Sequence, residues 1–240
     1  MQTSIAISTY MTKSNFDYRF NFFKLSIDSL MNSEYKGNII IIDDGSEIQE
    51  HLDYIKKIKY NKLSFHIKAN NQGVAKCKNT SMRLAIENSD IGFIADDDLI
   101  YKTGWDTIYT DAISKTHFSH FTFCAENRSE QEVVNNNGLN ILKLKNVNGC
   151  FFTVTKNILD TIGYMRILPY KFGHEHSNFS IRCINKQIIP YFVDVEKSDT
   201  CLNVQQDSFS KRSIDIDISK YNENALYNWK DLDVTWPCIE

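Results

Sequence analysis

Short apolar runs alternate with longer segments of helical periodicity along the first 115 residues. The runs are rich in β-branched residues and predict strands. Between them, apolar side chains recur every three or four positions, as on one face of a helix. Such an alternation predicts an α/β fold with a mostly parallel central sheet flanked by helices. The predicted strands are 4–8, 38–42, 63–67 and 91–95, and the predicted helices are 16–30, one through Leu52 and Ile55, 74–87, and one that starts near Trp105.

The second half of the chain is less regular. Its predicted strands are 119–123, 139–144, 151–155 and 188–195, and its predicted helices are 156–162 and 175–185. A polar stretch at 126–137 separates the first two of these strands. After about residue 197 the sequence is polar and weakly periodic. We therefore expect a single domain over 1–196 and an irregular C-terminal extension over 197–240, which packs on the domain or orders with a partner.

The composition narrows the class of protein. Hydrophobic residues make up 42% and charged residues 24% of the chain, and the formal net charge of −3 indicates no basic surface for nucleic acid. The longest unbroken apolar run, 39–42, is far too short for a membrane-spanning helix, and the first ten residues do not resemble a signal peptide. The six cysteines form no Cys-x-x-Cys pair and predict free thiols. We expect a cytoplasmic protein.

Polar residues follow three of the predicted strands at the point where each strand ends. They are Ser8 and Thr9, Asp43 and Asp44, and the acidic run at 96–98. In a parallel sheet these ends share one edge, where ligands bind. Each acidic group alone could also be a turn, a solvated loop or a helix cap. Together they indicate a ligand site, because crowded carboxylates repel unless a cation joins them, and Asp96 with Asp98 could hold Mg²⁺ or Mn²⁺.

Four segments occur in an order that resembles the family-2-type glycosyltransferases, which have a GT-A fold. They are SIAISTY, IIIIDDGS, NNQGVAKCKN and IADDDLIYKTGW. Asn71, Gly73 and Asn79 match the N-x-G-x-x-x-x-x-N segment of that family. The fourth segment is similar to D-x-D-D-x-Y-x-P-G, with Thr103 in place of the proline. Further along, residues 175–182 resemble the E-D-x-x-x-x-x-R helix of the family.

This resemblance implies a metal-dependent, inverting hexosyl- or N-acetylhexosaminyltransferase. The expected donor is a nucleotide-diphosphate sugar, with uridine diphosphate as the carrier, and the acceptor is a hydroxyl of a glycan, a lipid-linked glycan or a protein. Residues 1–115 would form the nucleotide-binding half and 116–196 the acceptor-binding half. A role in polysaccharide biosynthesis is expected. Lacking a transmembrane segment, the protein could still sit at the cytoplasmic membrane face or on a partner protein.

The resemblance also assigns roles to residues of this sequence. Ser8 and Asp44 would contact the uracil, with Thr9 and Asp43 close by. Asp98 would be the main ligand of a Mn²⁺ or Mg²⁺ ion that bridges both phosphates, and Asp96 and His174 are further candidate ligands. The remaining residues expected around the donor are Asn71, Gly73, Lys78, Asp96, Asp97 and Gly149.

The general base is expected on the helix that begins near residue 175. His176 stands where the family has the aspartate of its Glu-Asp pair, and imidazole can act as a base near neutral pH. Glu175 is the alternative base, in which case His176 would bind the acceptor or a phosphate. His174 or His176 could instead ligate the metal. The same residues could also be no more than the polar first turn of a helix.

Two other functions fit parts of the sequence. A sugar nucleotidyltransferase also combines an α/β sheet with carboxylate-held Mg²⁺, but the segment after the first strand, 9–13, contains no glycine. A non-catalytic nucleotide-sugar-binding module would keep the fold without the chemistry, and the histidine at position 176 leaves this open.

Overall fold

A computed structural model describes residues 1–205 and 217–239 of the chain. Its centre is a five-stranded sheet in the order β3-β2-β1-β4-β8. Its strands are β1 (Thr3–Thr9), β2 (Asn38–Asp43), β3 (Leu63–Ile67), β4 (Ile91–Asp96) and β8 (Phe151–Thr155). The first four are parallel, and β8 pairs antiparallel with β4. The prediction of a mostly parallel central sheet flanked by helices is confirmed.

The helices follow the apolar periodicity of the sequence. They are α1 (Phe16–Asn32), α2 (Gln49–Lys57), α3 (Val74–Glu87), α4 (Trp105–Thr116), α5 (Lys156–Ile162), α6 (Glu175–Asn185) and α7 (Ile218–Ala225). Of these, α3 packs across β1, β2 and β4. Strands β1, β2 and β4 are buried on both faces, as expected for parallel strands covered by helices. Aromatic rings of Phe93, Trp105 and Phe151 pack together in the core, with centroids 4.9–6.0 Å apart.

Two small antiparallel sheets complete the described chain. One joins β6 (Glu132–Asn136), β7 (Leu139–Lys143) and β9 (Val193–Val195) in the order β6-β7-β9. The other pairs β5 (Leu99–Tyr101), which follows the acidic run, with β10 (Leu202–Val204). The strand β10 belongs to the C-terminal extension, so the described part of the extension contains a strand and a helix and is more regular than the sequence indicates.

The predicted strand at 119–123 is wrong in detail. The segment forms only an isolated bridge, between Thr122 and Phe152, because its N–H groups are divided between two sheets. Thr122 N–H donates to Val193 O, whereas Phe123 N–H donates to Phe151 O. The predicted strand at 188–195 is reduced to β9, and the polar stretch at 126–137 contains β6.

Two further expectations concern the chain as a whole. All six cysteines are free thiols, and five of them are buried. Among the described residues, none of the helices combines the length and the apolar character that crossing a bilayer requires.

Candidate active site

The carboxyl ends of β1, β2 and β4 meet at one edge of the central sheet. The strand register places Ser8 beside Asp96 and Thr9 beside Asp43. A cleft of about 300 Å³ opens at this edge, a volume within the range of small-molecule sites. The predicted donor residues that line it are Ser8, Thr9, Asp44, Asn71, Gly73, Lys78, Asp96 and Asp97.

Asp43 lies at this edge, but its carboxylate is turned away from the cleft and fully buried. Its Oδ1 accepts the backbone N–H groups of Gly45 and Ser46, at 3.1 and 2.8 Å. Its Oδ2 accepts from the Ser46 hydroxyl and from His51 Nε2. Both oxygens therefore stabilise the turn that follows β2, and Asp43 does not line the expected nucleotide site.

Asp44 faces the cleft and holds the loop that follows β3. Its Oδ2 accepts the backbone N–H groups of Gly73 and Gln72, at 2.9 and 3.1 Å. Lys68 Nζ lies 3.4 Å from Oδ1. Burial raises the pKa of Asp44, while the positive charge of Lys68 lowers it. The Asp44 side chain is thus held at the cleft, with a cation at its side.

Asp97 is almost fully buried beneath the cleft. Its carboxylate accepts from Thr9 Oγ1 at 2.7 Å and from Arg19 Nη2 at 2.5 Å. Arg19 projects from α1 and lines the cleft together with Tyr18. Arg19 was not predicted from the sequence, because the prediction for this helix rested only on its apolar face; the signal was a basic residue on the neighbouring polar face, near the helix start.

Lys78 and Asp96 form an ion pair within the cleft. Lys78 Nζ lies 2.7 Å from Asp96 Oδ1, and the lysine side chain is buried. The pair brings one cation and one carboxylate to the same wall of the cleft. Such a pair suits a phosphate-bearing ligand, because a lysine ammonium is a compact donor to phosphate oxygens.

The three predicted metal ligands, Asp96, Asp98 and His174, do not form a cluster of three among the described residues. Asp98 is buried just before β5, outside the cleft lining, and its carbonyl accepts Gln205 N–H. The His174 ring packs on Tyr221 with centroids 4.6 Å apart, and its Nδ1 accepts from Asn228 Nδ2 at 3.2 Å. Within residues 1–205 and 217–239, the structure contains no group of three His, Cys, Asp or Glu residues placed to hold a metal ion.

One cleft carboxylate nevertheless fits a divalent ion. Mg²⁺ is usually held by one or two carboxylates together with substrate phosphates, so a complete protein cage is not required. Asp96 lines the cleft and its side chain is 22% exposed, whereas both oxygens of Asp97 are engaged by Thr9 and Arg19. Asp96 is therefore the residue that suits such an ion.

Glu175 is the first residue of α6 and lines a second cavity of about 410 Å³. This cavity and the cleft share Asn71, Gly73, Tyr170 and Lys171 in their walls. Burial raises the pKa of Glu175 to about 7. The negative charge of Asp96 adds to this effect, and the positive charge of Lys78 opposes it. A carboxyl group that titrates near neutral pH is suited to proton transfer.

His176 is enclosed instead of facing either cavity. Its ring stacks on Phe152 with centroids 4.5 Å apart, and its Nε2 lies 3.3 Å from Ser180 Oγ. The Ser180 hydroxyl also contacts His120 Nε2 at 2.8 Å. Burial and the nearby His120 lower the pKa of His176 well below its ordinary value, so the ring is neutral at physiological pH. A Cβ at Gly149 would touch His176 Cβ at 3.5 Å, which places Gly149 against this ring.

Comparison with known proteins gives a family match over most of the chain. A family model described as "Glycosyl transferase family 2" matches residues 4–183. The chain is also similar to an uncharacterized glycosyltransferase of Acanthamoeba polyphaga mimivirus, with 31% identity over 222 residues. That alignment covers 90% of this chain and 86% of the relative.

Solved glycosyltransferase structures share the fold. TarS 1-349 of S. aureus is 12% identical, with a TM-score of 0.61, and the match covers 96% of this chain and 73% of that one. The complex of TarS 1-349 with UDP-GlcNAc is 16% identical, with a TM-score of 0.52. That match covers 69% of this chain and 49% of the TarS chain, so this chain spans about half of that structure's length. The mannosyltransferase PcManGT of Pyrobaculum calidifontis, in complex with GDP-Man and Mn²⁺, is 10% identical with a TM-score of 0.55, over 97% and 71% of the two chains.

Proposed function

The chain belongs to glycosyl transferase family 2, and we propose that it is an inverting transferase that uses a UDP-linked sugar and a divalent metal ion. The acceptor is a hydroxyl of a glycan, a lipid-linked glycan or a protein. Three observations support this proposal: the cleft at the carboxyl ends of the parallel strands, the charged groups that line it, and a buried carboxyl group beside it.

The nucleotide base is proposed to bind at Asp44. Its carboxylate lies at the cleft and can accept the imide N–H of uracil. Tyr10, which also lines the cleft, offers an aromatic face on which a base can stack. Structures with the same fold were solved with UDP-GlcNAc and with GDP-Man, so a nucleotide-sugar donor is consistent with both.

The diphosphate is proposed to lie between Lys78 and Arg19. Both cations line the cleft. Lys78 pairs with Asp96 at the end of β4, and Arg19 pairs with Asp97 just after it. Asp96 would hold the divalent ion, which stabilises the charge on the departing diphosphate when bound. Lys78 would contribute to the same stabilisation from its fixed position.

Glu175 is proposed as the general base. In an inverting transfer the acceptor oxygen forms a bond to the anomeric carbon from the face opposite the diphosphate. The bond from that carbon to the phosphate oxygen breaks, the nucleoside diphosphate leaves with the electron pair, and the hydroxyl proton passes to Glu175. Glu175 lines the second cavity, from which an acceptor could approach, whereas His176 is enclosed. The base is therefore assigned to Glu175 and not to His176.

The observation that carries this proposal is the position of Glu175, with its pKa raised to about 7, on a cavity that shares a wall with the cleft. The test is a screen of UDP- and GDP-sugars for nucleotide release in the presence of Mn²⁺, Mg²⁺ or a chelator. Wild-type rates should rise with pH through about 7, because only the ionised carboxylate accepts a proton.

Glu175→Gln should still bind UDP but lose 10²–10⁴-fold in transfer rate, about the contribution of a general base. Glu87→Gln, at an exposed position on α3, is the matched control and should leave the rate unchanged. Wild-type turnover by Glu175→Gln would contradict the assignment of the base. Consumption of nucleoside triphosphate instead of a nucleotide sugar would contradict the reaction class.

A further inference from the structure

We propose that Asn224, on the C-terminal helix α7, is a positioning residue that fixes one wall of the donor cleft. The wall is residues 170–173, which we call the cleft loop. This inference rests on the proposed function, because it assigns the cleft to a nucleotide donor. It concerns a part of the chain that lies beyond the family match at residues 4–183.

Asn224 is fully buried, and its side-chain hydrogen bonds go to the cleft loop. Its Nδ2 donates to the carbonyl oxygens of Tyr170, Phe172 and Gly173, at 3.0–3.1 Å. Its Oδ1 accepts Tyr170 N–H at 3.2 Å. One side-chain amide therefore lies within hydrogen-bond distance of four backbone groups of a short loop, with its two N–H hydrogens shared among three carbonyls.

The cleft loop reaches from α7 to the opposite side of the cleft. Tyr170, Lys171 and Phe172 line the cleft, and the Lys171 carbonyl accepts Val74 N–H at 2.9 Å. Lys171 Nζ donates to the Asn71 carbonyl, also at 2.9 Å. The loop is thus fixed at one side by α7 and at the other by the start of α3, and its position sets the width of the cleft.

Close packing around Asn224 restricts the cleft loop to few conformations. Gly173 has φ +94°, and a Cβ there would lie 2.4 Å from the Tyr221 ring of α7. Asn178 Nδ2, in the helix that begins with Glu175, donates to the carbonyls of Tyr227 and Lys230, at 3.0 and 3.1 Å. The chain from 217 to 230 therefore contacts both the cleft loop and the helix that carries the proposed base.

Without the Asn224 side chain, four backbone groups of the loop would lose their partner, and buried backbone groups are costly to leave unpaired. The cleft loop would then leave its position at the cleft for conformations in which water pairs with these backbone groups. A nucleotide would have to order the loop on binding, so its affinity would fall.

The test compares Asn224→Ala with Asn222→Ala, an exposed position on the same helix. UDP binding is measured by calorimetry, and amide hydrogen exchange is followed over the whole chain by mass spectrometry. For Asn224→Ala we expect at least tenfold weaker UDP binding and faster exchange concentrated at 168–174. Asn222→Ala should match the wild type in both measurements. Asn224→Asp can accept Tyr170 N–H but cannot donate to three carbonyls, so it should behave like the alanine variant.

Wild-type UDP affinity in Asn224→Ala, or faster exchange spread evenly over the chain, would overturn the inference. If Asn224→Ala does not fold, Asn224→Asp is measured in its place, because it keeps the size of the side chain and the bond to Tyr170 N–H; wild-type UDP affinity with wild-type exchange at 168–174 in that variant would overturn the inference. A wild-type protein that binds no UDP would contradict the proposed function, whereas the exchange pattern would still report on the role of Asn224.

Discussion

Glu175 and His176 are adjacent on α6, yet their side chains lie in opposite environments. Glu175 lines a cavity, and burial raises its pKa to about 7. His176 packs between Phe152 and Ser180, and burial lowers its pKa. Burial favours the neutral form of both groups, since a low-dielectric environment disfavours the charged form of either, but at pH 7 a carboxyl group with a pKa of about 7 is still about half ionised. Only Glu175 combines this property with access to a ligand.

The raised pKa of Glu175 also affects stability. The folded protein keeps a proton up to about pH 7, whereas the unfolded chain releases it near the ordinary value of 4.5. The stability contributed by the neutral carboxyl group is therefore lost as the pH rises from about 4.5 to about 7, and the loss levels off above that pH.

Glu175→Gln should consequently be more stable than the wild type at pH 8.5, by roughly 2–4 kcal/mol, and close to it at pH 4.5. Denaturant unfolding at the two pH values measures this difference. Glu87→Gln should show no such change between the two pH values. An equal stability difference for Glu175→Gln at both would show that the glutamate pKa is not raised in the folded protein.

At the level of single residues, the sequence predicted the position of the site better than the orientation of each side chain. The strand ends could be placed at one edge because parallel strands share their polarity. Asp43 and Asp44 could not be told apart, although consecutive side chains near a strand end point in different directions. In the structure, the Asp43 side chain points into the turn after β2, and the Asp44 side chain points toward the cleft.

At the level of elements, the loop before α3 determines the geometry of the cleft. Gly73 has φ +93°, donates its N–H to Asp44, and leaves no room for a side chain, because a Cβ would lie 2.8 Å from Lys171 Cβ. The loop before α3 and the cleft loop are therefore in direct contact at Gly73, a position that suits glycine alone.

Gly73→Ala should weaken UDP binding at least fivefold and reduce stability, because it adds a clash with Lys171 to the strain of a positive φ. Gly138→Ala separates the two effects: its φ is +80°, but nothing lies within 4 Å of a Cβ there. It should lose only the roughly 1–2 kcal/mol of a left-handed residue and keep UDP affinity. Equal losses in both variants, by calorimetry and denaturant unfolding, would mean that the contact with Lys171 is unimportant.

The elements that the sequence missed are short and polar or lack periodicity. In β6 the side chains are mostly solvated, so no apolar alternation marks the strand. The strands β5 and β10 have three residues each and form through pairing that is distant in sequence, Leu202 opposite Tyr101. Long helices and buried parallel strands show a strong pattern of apolar residues, because much of their surface is buried. These elements were predicted nearly to the residue.

At the level of the whole molecule, Arg182 connects α6 to the chain that follows α5. It is fully buried, and its guanidinium donates to the carbonyls of Ile162 and Tyr164 and to Asn178 Oδ1. Burial lowers its pKa to about 10. In the sequence this arginine belongs to a family-like motif, but the partners that require it are carbonyl groups, which no sequence pattern identifies.

Arg182→Met should therefore destabilise the whole domain, because a methionine of similar volume occupies most of the space but leaves these carbonyls without a donor. We expect a loss of roughly 2–5 kcal/mol in the free energy of unfolding, from several buried acceptors that each cost about 1–3 kcal/mol when unpaired. Lys156→Met removes a cation from an exposed ion pair with Asp160 and should change stability by less than about 1 kcal/mol. Denaturant unfolding measures both variants. If they lost equal stability, the buried arginine would contribute no more than a surface charge, and the link between α6 and the residues after α5 would have to lie in apolar packing alone.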